Sequence, residues 1–126
     1  MSGLIAAYLW ANAATYLGFG LWCAARPGQT SRSLGYEQLS AAGRGEFLSI
    51  YGGLELGLAA IFATLAWRPD LSHLGLWLGL MLYGGILPFR AYSLWRYRIR
   101  EPMVLGLALG ELLFLLLPLA LLVAGG

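Results

Sequence analysis

The sequence predicts an all-α membrane protein, a bundle of four transmembrane helices with both termini on the non-cytoplasmic side. Three observations predict it. Of the 126 residues, 60% are apolar and only 11% charged, with a mean hydropathy of +0.72, whereas a soluble domain carries about 25% charged residues. The apolar residues gather into four runs, 4–25, 47–67, 74–95 and 103–124, each meeting the roughly 20 residues needed to cross a hydrocarbon core. The arginines, finally, are placed unevenly. Arg26, Arg32 and Arg44 fall in the first connection and Arg96, Arg98 and Arg100 in the last, against Arg68 alone in the middle one. Short loops rich in basic residues stay in the cytoplasm, so connections 26–46 and 96–102 are expected there. Residues 1–126 read as one membrane domain, and a net charge of +2 is too small to suggest a nucleic-acid partner.

The first run lacks a basic n-region, since "MSGL" precedes it, and it exceeds the roughly 7–15 apolar residues of a signal peptide. It is therefore expected to be a retained helix. Cys23 is the single cysteine, so no intramolecular disulfide or zinc spacing arises, and a small core residue is expected there. Pro27 and Gly28 stop this helix. The segment "SLGYEQLSAAG", 33–43, is expected to form an amphipathic turn at the interface. The second helix, 47–67, is broken by Arg68-Pro69-Asp70, and Asp70 or Ser72 is expected to cap the third, 74–95. Pro102 suits the first turn of the fourth helix, 103–124, where a missing N–H costs nothing. Trp22, Trp67 and Trp95 each lie near a helix end, as aromatic belts at membrane–water boundaries do. Small residues spaced for close helix contact occur at Gly53/Gly57, Gly75/Gly79 and Gly106/Gly110. Gly52, Gly53 and Gly57 are the expected packing positions.

Three ionisable residues, Glu55, Arg90 and Glu111, lie well inside the helices. Inside a membrane such residues face the bundle interior, pair, and mark function. At 1.5 Å per residue, Glu55 and Glu111 are both about 12 Å from the arginine-rich ends of their helices, and Arg90 is about 7–8 Å from its own. All three can share one layer, as a buried salt bridge between Arg90 and Glu55 with Glu111 beside it. Tyr51 and Ser93 lie on the same stripes, and Thr15 and Tyr16 of the first helix lie nearest this layer. Asn12 is farther off, and Pro88 frees a carbonyl near Gly84 as a further acceptor. Glu46, at the cytoplasmic mouth, is expected to pair with Arg44 or Arg100. No P-loop, dinucleotide fingerprint or HExxH helix is present, and the sole histidine, His73, lies in the outer loop. Neither a metal nor a cofactor is expected, and the balance leans away from an enzyme.

The strings "GEFLSIYGGLELGLAAIF", "YGGILPFRAYSL" and "LALGELLFLL" resemble the bacterial family catalogued as domain of unknown function 4345. The resemblance implies a small four-helix protein of the bacterial inner membrane. It carries Glu46, Tyr51, Gly52, Gly53, Glu55, Arg90, Ser93 and Glu111 over as motif positions. Phe47 departs from the pattern, which often has an arginine there. The resemblance implies no activity. The residues suggest an intramembrane polar pocket for a membrane lipid or a small lipophilic or amphipathic molecule, or an accessory subunit working with further copies or another membrane protein. The rival is a proton-coupled small-molecule exporter. Small multidrug transporters are of similar size, but their key glutamate lies in the first helix, where this chain has no charge.

Overall fold

A computed structural model describes residues 2–125, and among the described residues every regular element is helical. The order is α1 (Ser2–Ala25), a short α2 (Pro27–Ser33), α3 (Ala41–Phe47), a π-helical stretch (Leu48–Leu54), α4 (Glu55–Trp67), α5 (Ser72–Arg96) and α6 (Pro102–Gly125). A 3₁₀ turn, Pro69–Leu71, leads into α5. Four continuous segments, Gly3–Ala25, Ala41–Trp67, Pro69–Arg96 and Pro102–Gly125, are long and apolar enough to cross a membrane. Their outward faces agree with that: Met81, Phe89, Leu109 and Val123 are all at least 65% exposed. A patch this extensive is not left bare to water in a soluble monomer. Trp67 and Trp95 lie exposed at the ends of α4 and α5, while Trp22 is half-buried, edge-on to Phe19. Cys23 is buried, as expected.

Local chemistry moves several boundaries. The second apolar segment begins at Ala41 rather than 47, because the Ser40 hydroxyl accepts from the Gly43 N–H at 3.1 Å and caps the helix there. The amphipathic turn expected over 33–43 is absent, since 34–35 is a plain turn and 36–40 has no helix; a short helix lies earlier, at Pro27–Ser33. Pro27 supplies a preset φ at its first turn, and Gly35, at φ +100°, takes the left-handed conformation just after its end. Neither Asp70 nor Ser72 caps α5. The Asp70 carboxylate is held by the Arg68 guanidinium at 3.0–3.1 Å, and the Ser72 hydroxyl donates to the Pro69 carbonyl at 2.9 Å. His73 is exposed but belongs to the first turn of α5, not to a loop.

Side-chain contacts fix the helix directions. Ala24 meets Gly52 and Gly20 meets Glu55, so α1 and α4 are antiparallel. Leu9 lies on Gly75 and Tyr16 meets Tyr83, so α1 and α5 are parallel neighbours across the bundle. Tyr83 meets Phe114 and Arg90 meets Glu111, which sets α6 antiparallel to α5. The described ends of α1 and α6 therefore share one end of the bundle, and the connections bearing Arg26–Arg44 and Arg96–Arg100 share the other. The apolar core of Ile5, Leu9, Ala13, Phe62, Leu65 and Leu76 lies toward the first of these ends.

The packing glycines are not the expected ones. A Cβ on Gly53 or Gly57 would meet nothing within 4 Å, whereas one on Gly79 would collide with the Tyr8 hydroxyl and one on Gly75 would lie 2.6 Å from a Leu9 methyl. Gly52 makes only ordinary contact with Ala24, at 3.5 Å. The small-residue spacing recurs in three helices, but only the α5 pair faces a neighbour closely enough to use it. Gly79→Leu should lower stability by about 1–3 kcal/mol, the usual cost of overpacking. Gly53→Leu and Gly57→Leu should leave it nearly unchanged, as read by thermal melting in detergent; equal losses at all three positions would refute this assignment of faces.

Candidate functional site

The site is built on a polar spine. Asn12 of α1 is fully buried; its Nδ2 donates to the Tyr8 carbonyl at 3.0 Å and its Oδ1 accepts from the Tyr83 hydroxyl. With the Tyr83 proton so committed, the Tyr16 hydroxyl donates to Tyr83 at 2.7 Å. The Tyr8 hydroxyl donates to the Phe114 carbonyl on α6 at 2.6 Å. These bonds stitch α1 to α5 and α6, and no buried side-chain polar atom among the described residues lacks a partner. The sequence places Asn12 at the margin of the site and does not single out Tyr83. Asn12 lies too far from the charged layer, and a tyrosine in an apolar helix gives no sign of whether it faces lipid or core.

Toward the arginine-bearing end, Arg90 of α5 forks onto Glu111 of α6, with Nε–Oε1 at 2.8 Å and Nη2–Oε2 at 2.7 Å. This corrects the expected partner: Arg90 takes Glu111, and Glu55 makes no hydrogen bond or ion pair among the described residues. Equal depth put all three in one layer, but lateral order decides the pairing. α6 packs along α5, and one carboxylate fills the guanidinium fork. Nor is the bridge a buried one, since its side chains keep 26% and 15% of their exposure.

Glu55, Arg90 and Glu111 do line one cavity of about 260 Å³ to which α1, the π-helical stretch, α4, α5 and α6 all contribute. Of the expected residues, Tyr51, Thr15 and Tyr16 line it too. The π-helical stretch widens the turn that carries Tyr51, immediately before Glu55. Tyr51 stacks on Phe47 at 4.6 Å between ring centroids and meets the Tyr36 hydroxyl at 3.3 Å, so the first connection braces the cavity from below. Phe19, Leu107 and Phe114 add apolar wall that the sequence did not single out. The mouth is rimmed by Thr15, Gly106 and Gly110, all exposed.

Other expected members stand apart. Ser93 turns back onto its own helix, its hydroxyl donating to the Phe89 carbonyl, and it lines an outward groove with Met81 and Ile86. Gly84 and Pro88 line a second outward groove, between α5 and α6, away from the cavity interior. Glu46, Arg44 and Arg100 are exposed and form no ion pair with one another; Arg100 donates instead to the Ile99 carbonyl. Residues two apart on a helix point to different sides, which separates Arg44 from Glu46.

Chemically, the layer is one compensated cation, one compensated carboxylate and one carboxylate facing open space. No group of three His, Cys, Asp or Glu residues arranged to hold a metal ion occurs among the described residues. No protein-family model, curated protein or solved structure matches the chain. The bidentate pair makes a mutational prediction. Arg90→Leu strands Glu111 and should destabilise by up to about 3 kcal/mol, the lower bound for breaking a buried pair. Adding Glu111→Leu should restore most of that loss, while Glu55→Gln should change stability little. Chemical denaturation in detergent reads all three, and a double variant weaker than Arg90→Leu would contradict the pairing.

Proposed function

We propose that this chain is a multi-pass protein of the bacterial inner membrane whose cavity binds a small lipophilic or amphipathic molecule. One observation carries the reading: a cavity of about 260 Å³, walled by all four long segments, holds a carboxylate with no partner. A role limited to holding helices in register would be served by the Arg90–Glu111 fork and the tyrosine spine, both of which bridge helices without that space. The exposed rim at Thr15, Gly106 and Gly110 favours entry sideways from the lipid. The likeness to the domain of unknown function 4345 family supports the same placement through Tyr51, Glu55, Arg90 and Glu111. An accessory role beside further copies or another membrane protein is compatible with an occupied cavity.

Extraction into lipid nanodiscs followed by mass spectrometry should recover a small molecule bound to the protein. Gly110→Phe, which puts a ring into the cavity mouth, should abolish its recovery while the protein stays folded. Equal recovery from both would sink the reading. The six-to-one division of loop arginines supports both termini lying outside. Reporter fusions at the C-terminus should accordingly be active in the periplasm and silent in the cytoplasm, and the reverse pattern would invert the topology.

A further inference from the structure

The cavity's polar inventory specifies the charge of its ligand. Glu111 is neutralised by the Arg90 fork through both of its oxygens. The Thr15 hydroxyl is spent on the Ala11 carbonyl at 2.8 Å, Tyr16 and Tyr83 are bonded to each other, and Tyr51 meets Tyr36. What remains is Glu55, with neither oxygen engaged. Its Cβ lies against Gly20 of α1, so the backbone around it is fixed while its carboxylate faces the space. With all three charged groups ionised the layer sums to −1. An ionised carboxylate away from water is costly unless a proton or a counter-ion meets it. An anionic ligand would be repelled by that charge, since Arg90 is already compensated, and a neutral one would leave it to a proton, whereas a cation meets it directly.

The rest of the wall suits a cation as well. Tyr16, Phe19, Tyr51 and Phe114 contribute aromatic rings, and ring faces attract ammonium groups, most strongly where water is excluded. At about 260 Å³ the space sits just below the roughly 300–1,000 Å³ of drug-sized pockets, which restricts the occupant to a compact body.

We propose that the cavity takes a compact aryl- or alkyl-ammonium ion, its charged end on Glu55 and its apolar body among Phe19, Tyr51 and Phe114. This rests on the ligand-binding reading above and narrows it to one chemical class. The test uses the full chain in nanodiscs and equilibrium dialysis with two probes of one shape: benzyltrimethylammonium, which cannot lose its charge, and neopentylbenzene, its neutral carbon counterpart. Empty nanodiscs correct for partition into lipid. The cation should bind at least tenfold more tightly than the neutral probe. Glu55→Gln, checked for an unchanged melting temperature, should remove that preference, and Gly110→Phe should remove saturable binding of both. Equal affinities, or a preference that survives Glu55→Gln, would overturn the ammonium assignment and leave the lipophilic-pocket reading standing. Absence of saturable binding by either probe would overturn both.

Discussion

The close approach of α1 to α5 governs the whole arrangement. Tyr8 can lie against α5 only because Gly79 has no side chain, and Leu9 only because Gly75 has none. That contact lets Tyr8 reach the Phe114 carbonyl and brings Tyr83 within reach of Asn12 and Tyr16. In hydrocarbon no water competes for these groups, so every polar atom drawn between helices must find a protein partner. The glycines and the hydroxyls are thus one device: the first permits the approach that the second requires. A parallel pair drawn together across the middle of a four-helix bundle also separates the two helices on either side. Toward the arginine-bearing end lies the cavity, which Glu55 of α4 and Glu111 of α6 both line.

The two ends of the bundle consequently differ in kind. Near the chain ends, Ile5, Leu9, Phe62, Leu65 and Leu76 fill the interior with apolar contact. Toward the other end Cys23, Phe47 and Val104 are still buried, but open space takes up part of the interior, and the Arg90–Glu111 fork holds α5 and α6 together beside it. An interhelical hydrogen bond between neutral groups contributes only about 0.6 kcal/mol on average in a membrane protein. Charge-assisted, bidentate bonds are about twice as strong, and such a bond stands where apolar packing is missing. The aromatic group of Tyr36, Phe47 and Tyr51 gives the same end a rigid floor.

What could be read from the sequence follows from which quantities are local. Helix existence is written in apolar run length, and depth is residue count multiplied by a fixed rise. The four helices and the common layer of Glu55, Arg90 and Glu111 were therefore legible before any coordinates. Lateral order and helix rotation are not local quantities. They decided that Arg90 turns to Glu111, that Gly79 rather than Gly53 meets a neighbour, and that Ser93 faces out. Capping sits between these cases: Ser40 obeyed its propensity, while Asp70 was drawn away by Arg68 two residues earlier, a competition that propensity alone does not resolve.

Glu55 separates scaffold from site. Tyr8, Asn12, Tyr16, Tyr83, Arg90 and Glu111 each have a partner on another helix whose removal would loosen a helix contact, so their presence is explained by architecture. Glu55 has the surroundings of such a group, packed at its base against Gly20 and set in the same layer as an ion pair, but none of its bonds. A chain under pressure only to hold four helices together would gain from an apolar residue at this position, because an uncompensated carboxylate opposes folding in a low-dielectric layer. Its presence on the wall of an aromatic-lined cavity is therefore the feature that architecture leaves over. The compensating charge has to come from outside the chain, as a proton or as a ligand.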